Sequence, residues 1–268
     1  KATVNGEEVT SVPISGDGKL VIKLYYNRNS FNAVYHVVNG TTNTVSYRYG
    51  SIISEPEIPV KVGYTFSGWF ADSGLSQIYS FGNAMPDRDV DIYGKLIPNS
   101  NTPYTVNHYV ENLAGDYVLT KTDNLTGTTD TALTLANLKS GTIIVANGIT
   151  YKEAKVGTTV QTTATILGDG SLVVNLYYSR DSHTLTFDVN NAKATGGTSG
   201  TVKYGAAINV PAVALAGYTF GGWYGNANCT GEPITIPATM PAHDLIVYAK
   251  WIANSNTPYT VNHYVENL

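Results

Sequence analysis

The string NTPYTVNHYVENL occurs at 101–113 and again, unchanged, at 256–268, a separation of 155 residues. Two other pairs keep nearly the same step. GYTFSGWF at 63–70 returns as GYTFGGWY at 217–224, and DGKLVIKLYYNR at 17–28 returns as DGSLVVNLYYSR at 169–180. A period this long exceeds one supersecondary unit, so the repeating object is a pair of small domains. Read this way, residues 1–29 end a Tyr-bearing module and 30–98 form a Trp-bearing module. Residues 101–180 form a whole Tyr-bearing module, 181–253 a second Trp-bearing module, and 254–268 the start of another Tyr-bearing one.

Local patterning predicts strands. Twenty tyrosines and only two methionines, among many Thr, Val and Ile, favour pleated structure over helix. In Tyr104–Leu113, alternation places Val106, His108 and Val110 on one face. Ala114, Gly115 and Asp116 then turn the chain into Tyr117–Thr120. Asp169 and Gly170 turn it into an apolar strand over Leu172–Tyr178, which residues 19–26 repeat. Only short helices are expected, for instance near 129–138, where threonine weakens the pattern. Between the Tyr-Tyr pairs and the following Tyr-Gly pairs the offset grows from 152 to 155, so the second Trp-bearing module carries three extra residues. Insertions are tolerated where backbone is solvated, which makes 190–200 a surface loop. The connectors PNSNTP and ANSNTP restrict the backbone without adding length, whereas 178–184 runs from one strand into the next and should be stiff.

Composition removes several classes. With 13% charged residues and a net charge of -4, the chain has no basic footprint for nucleic acid and no polybasic membrane anchor. It also has no apolar run of transmembrane length, so no membrane insertion is expected in this segment. Cys229 stands alone, so an intrachain disulfide is excluded and a core position is expected. No Cys pair, HExxH or EF-hand ladder appears, so neither a metal nor a cofactor is expected. His183 beside Asp181 and Ser182 lists the residue types of a triad, but neighbours on a strand point to opposite faces. Catalytic residues are therefore not expected, and a Lys–Asn or Lys–Asp crosslink is the one reaction left open. Modules of 70–80 residues need large side chains to fill a core. That assigns Tyr64, Phe66, Trp69, Tyr218, Phe220, Trp223 and Trp251 to packing.

The residues now carry a family likeness. LTFDVN at 185–190, VKYGAAI at 202–208, GYTFGGWY at 217–224 and MPAHDLIVYAKW at 240–251 resemble the Listeria-Bacteroides repeat, also called the internalin B-repeat. The first copy departs from it: FNAVYHVVNG at 31–40 lacks the Phe-Asp pair, and YGKL at 93–96 replaces YAKW. YTVNHYVENLAGDY at 104–117, LTGTT at 125–129 and DGSLVVNLYYSR at 169–180 are similar to mucin-binding-protein-type (MucBP) repeats. The resemblance implies a mainly β, β-rich α+β chain: small β-grasp-like modules in tandem, forming an elongated array in an extracellular, wall-attached surface protein. It implies no catalytic residue and no mucin binding by these particular repeats.

Three functions follow as expectations. The first is a non-catalytic stalk and interaction segment of a bacterial adhesin, touching neighbouring repeats of its own chain. The second is a module binding a host or neighbouring-cell glycan or protein through variable loops, with Asn190, Thr195 and Ser199, or Ser73–Ile78, at the contact. The third is a fibre subunit assembling through the partial modules at 1–29 and 254–268.

Overall fold

A computed structural model describes residues 1–37 and 42–266. Residues 38–41, inside FNAVYHVVNG, and residues 267–268, at the end of the second NTPYTVNHYVENL, lie outside the described residues. The chain is β-rich and divides into two units, 1–100 and 101–268.

In the first unit, strands β1 (Ala2–Val4), β2 (Glu7–Val9) and β3 (Lys23–Leu24) form a small sheet in the order β2-β1-β3. A four-stranded sheet follows from β4 (Ser30–Val37), β5 (Thr42–Arg48), β6 (Tyr64–Phe70) and β7 (Val90–Pro98), in the order β5-β4-β7-β6. Its central pair, β4 and β7, runs parallel, from Ala33 opposite Val90 to Val37 opposite Gly94. Alternation along these two strands sends Ala33, Tyr35 and Ile92 inward, where they meet Ile53, Trp69 and Met85. Burying side chains of this size contributes about 1.5–3 kcal/mol each.

The second unit opens with β8 (Thr102–Glu111), β9 (Tyr117–Gly127) and β10 (Ala132–Thr134). A 3-10 turn at Leu135–Leu138 precedes β11 (Ile149–Val156), β12 (Thr159–Val160), β13 (Thr163–Thr165) and β14 (Val173–Arg180). The helix expected over 129–138 is thus confined to its last four residues, because Ala132–Thr134 pairs with Thr163–Thr165 instead. The main sheet has the order β12-β11-β14-β8-β9, with β14 and β8 parallel from Val173 opposite Thr105 to Tyr178 opposite Val110. Val106, Val174, Leu176 and Tyr178 form the heart of its core, and His108 is buried among them.

The four-stranded plan then recurs in β15 (Ser182–Asp188), β16 (Thr198–Lys203), β17 (Tyr218–Tyr224) and β18 (Leu245–Ala253), in the order β16-β15-β18-β17. Strands β15 and β18 run parallel at its centre, over Phe187, Trp223, Met240 and Val247. The space around the indole is one place where the two cores differ. Trp69 lies so close over Gly94 that a Cβ there would sit 2.9 Å from Cζ3, whereas the counterpart of Gly94 is Ala249. The departure YGKL for YAKW is therefore a packing difference: the first copy gives the space to its indole.

Packing places the aromatic candidates unevenly. Trp69 and Trp223 are buried, at 4% and 6% exposure. Phe66 and Trp251 pack half-buried against their cores, and Tyr64 is half-buried beneath Lys61. Tyr218 and Phe220, expected inside, are instead exposed at 43% and 39%. Strand β17 is a sheet edge, and its register shifts between Phe220 and Trp223. The irregularity turns Trp223 inward and leaves Phe220 as an outer cover, edge-on to Trp223 and Trp251.

Candidate functional site

Strand β14 ends at Arg180 and β15 begins at Ser182, so one residue, Asp181, joins two sheets of the second unit. Side chains and main chain fasten that step. Arg180 donates through Nε to the carbonyl of Glu111 at 2.8 Å and through Nη1 to the carbonyl of Tyr204 at 3.0 Å. The Glu111 carboxylate accepts from the Arg180 amide at 2.9 Å and from Lys203 Nζ at 2.8 Å. Lys203, with the Arg180 amide behind it, holds the Glu111 carboxyl below its ordinary range. Main-chain bonds from Tyr204 to Asp181 and from Asp181 to Gly148 run alongside, and His183 Nε2 meets the carbonyl of Asn147. His183 thus tethers the start of β15 to the segment before β11.

The first unit repeats two of these bonds. Arg28 Nη1 donates to the carbonyl of Tyr49 at 3.3 Å, and the Tyr49 amide bonds to Asn29 at 2.7 Å, matching Arg180, Tyr204 and Asp181. This joint was missed as a cluster when the residues were read singly. Its signal was present, because Arg28 and Arg180, Tyr49 and Tyr204, and Arg48 and Lys203 occupy matching repeat positions.

A second feature lies in the first unit. A groove of about 670 Å³ opens between the inner face of β4–β5 and the segment 54–60. Tyr35, Val45, Tyr47 and Trp69 line its floor, and Glu57, Ile58 and Val60 its opposite wall. The Tyr35 hydroxyl donates to the carbonyl of Ser54 at 3.1 Å, and burial pushes it well above the ordinary phenol range. Trp69 Nε1 is buried without a hydrogen-bond partner among the described residues, an omission that costs about 1–3 kcal/mol. Ile58 and Val60 are exposed, at 59% and 93%.

The residues expected at ligand loops do not converge. Asn190, exposed and at positive φ, donates through its side-chain amide to the carbonyl of Ala227 at 2.8 Å. Thr195 exchanges two main-chain bonds with Ala214. Ser199 lies within β16 rather than a loop, because pairing with β15 continues from Lys203 back to Thr198; its hydroxyl meets Thr186 Oγ1 at 2.9 Å. The segment 73–78 is a folded turn in which Asp72 Oδ1 accepts the Gln77 amide at 2.7 Å. Cys229, expected in the core, is partly exposed in a turn at positive φ, with Sγ 3.5 Å from the carbonyl of Ala249. Lys1, Lys121, Lys155 and Lys203 meet Glu8, Asp123, Glu153 and Glu111 as ion pairs. Among the described residues no three His, Cys, Asp or Glu side chains gather as a metal site requires, and no helix is long and apolar enough to cross a membrane.

Comparison with known proteins gives these features a setting. Residues 31–95 and 183–250 match the Listeria-Bacteroides repeat domain, one match on each four-stranded sheet. The chain is 32% identical to Internalin H of Listeria monocytogenes over 94 residues, which are 35% of this chain and 16% of that protein. It is 36% identical over 58 residues to a protein of Evansella cellulosilytica described only as a membrane protein, covering 22% of this chain and 9% of that one. The chain thus spans less than a fifth of either relative.

Proposed function

We propose that this chain is a non-catalytic, repeat-built stalk and interaction segment of a bacterial cell-surface adhesin, held outside the cell and attached to the wall. The joint at Arg180 carries the reading. A binding domain can hang on a loose tether, but a stalk must hold successive modules in register. Here a one-residue link is backed by a partly exposed carboxylate, two cations and main-chain bonds. The similarity to Internalin H and the paired repeat domains support a surface repeat region. In this reading 101–180 is a MucBP-type module, 1–29 and 254–268 belong to further modules of that type, and 30–98 and 181–253 are the B-repeat modules. The natural contacts are neighbouring repeats of the same chain.

Two measurements test it. Antibodies raised against the chain should label intact producing cells; labelling only after lysis would overturn the surface placement. Backbone relaxation should give residues 102–180 and 182–253 one rotational correlation time, and Glu111→Ala with Lys203→Ala should separate them. Independent tumbling of the unaltered protein would remove the stalk reading.

A further inference from the structure

Among the described residues, each of the three larger sheets sets its first strand in sequence beside its last, and the two run parallel. These pairs are β4 with β7, β8 with β14, and β15 with β18. The chain therefore enters each sheet at one end of such a pair and leaves at the other. Tension along the chain draws the two strands past each other, in opposite directions along their own axes. The main-chain bonds between them are then loaded together, because parallel strands space those bonds evenly. Had the two strands been antiparallel, both chain ends would leave from one side and the bonds would open in turn.

We propose that the chain bears tension, and that shear between the first and last strands of each sheet is what resists it. This role rests on the stalk reading, since a stalk is the part of an adhesin that is pulled along its length. The pair β8 and β14 is tied by side chains as well as main chain. Asn107 Nδ2 donates to Asn175 Oδ1 at 3.1 Å, and Tyr109 stacks on Tyr177 with ring centres 5.2 Å apart. His108 Nδ1 lies 2.8 Å from the Tyr178 hydroxyl. Where β14 ends, Arg180 gives its amide to the Glu111 carboxylate and its Nε to the Glu111 carbonyl. Near the start of β8, the Thr105 amide donates to the carbonyl of Leu172 at 3.0 Å. A slip of one residue would set inward side chains such as Val106, Val174 and Leu176 against outward ones. The strands must therefore travel two residues, roughly 6–7 Å, before they can pair again, a distance that parts all of these partners at once. The other two pairs carry links of the same kind. Between β4 and β7, His36 Nε2 meets Asp91 at 2.7 Å and its ring stacks on Tyr93. Beside β15 and β18, the Thr184 amide donates to Asp244 Oδ1 at 2.7 Å.

Single-molecule force spectroscopy of the whole chain tests this. Every variant carries Cys229→Ser, so that one introduced thiol is one handle and a C-terminal tag the other. With Ser100→Cys, before β8, the two handles load β8 against β14 in shear. With Ala114→Cys, in the exposed turn after β8, they load the pair from one end and peel it apart. The pair β15 and β18 is sheared in both arrangements and gives the reference event. The sheet of β8 and β14 should give way from Ser100 at a force about twofold or more above that from Ala114, because its bonds break together rather than in turn. The reference event should stay where it is. Asn175→Ala should lower the force from Ser100 and leave the force from Ala114 unchanged, whereas a residue that only supports the fold would lower both. Matching thermal melts of the Ser100→Cys and Ala114→Cys proteins would verify that both are folded. Equal forces in the two geometries would overturn the inference, as would an equal drop in both from Asn175→Ala. A clear force difference would survive a failure of surface labelling, and equal forces would remove the shear role while leaving the surface placement intact.

Discussion

Glu111, the last residue of β8, and Lys203, the last residue of β16, meet at 2.8 Å, so the ends of strands in two neighbouring sheets are held by one carboxylate. The second oxygen of Glu111 accepts the Arg180 amide, so the group anchors the link from both sides.

Replacing Glu111 by Gln should destabilise the second unit at neutral pH by about 1 kcal/mol, discounted because Lys203 is a third exposed. The folded Glu111 carboxyl titrates below its unfolded value. Its contribution is therefore complete above the unfolded carboxylate range, near ~4.3, and is lost as pH falls through the lower folded value. Denaturation curves of the two proteins should separate at pH ~7 and converge in strong acid. A gap that widens on acidification would contradict this assignment.

His108 is fully buried between Tyr178 and Asp123, with Nδ1 2.8 Å from the Tyr178 hydroxyl and Nε2 3.0 Å from Asp123. A hydrogen on Nε2 donates to the carboxylate and leaves Nδ1 to accept from Tyr178, whose oxygen also takes the Ser140 amide. His108→Leu and Tyr178→Phe should each cost about 1–3 kcal/mol in urea denaturation. The double variant should cost less than their sum, because each single change strands the other partner.

Gly94→Ala should destabilise the first unit by about 1–3 kcal/mol, since the new methyl meets the Trp69 ring at 2.9 Å in a filled core. Ala249→Gly in the matching position should cost only about 1 kcal/mol, through backbone freedom and one lost methyl. Thermal melts of the two variants would compare them directly.

Gly196 has φ of +95°, and a Cβ there would fall 2.1 Å from the carbonyl oxygen of Ala212. Gly196→Ala should therefore break the Thr195–Ala214 bridge. Amide exchange at Ala214 is expected to lose its protection, while Val247 at the centre of β18 keeps it.

Much of this was legible because repetition multiplies weak signals. The pattern behind Asp-Gly recurs at 19–26 and 172–178; the second copy is β14, Val173–Arg180, whereas in the first only Lys23–Leu24 is strand and its apolar residues from Val21 to Tyr26 stay exposed. The alternation of Val106, His108 and Val110 gave one face of a strand, and in the structure that face packs on the core, with Val110 partly buried. The partners of His108 were not legible, since Asp123 and Tyr178 lie 15 and 70 residues away and come together only through sheet pairing. Tyr218 and Phe220 misled for a related reason: recurrence marks a position as structural without saying whether its strand is central or an edge. Asn190, Thr195 and Ser199 looked free because they sit in a polar insertion, yet the insertion folds back and pairs.

By itself the sequence determined the period and the prevalence of strands, because these depend on residue order and on local backbone preference. Tertiary structure decided which recurring residues meet. Glu111 reaches Lys203 only after β8 and β16 have found their sheets, and His108 meets Asp123 only after β8 has paired with β9. Those outcomes depend on the positions of atoms distant in the chain, which pairing and packing set together.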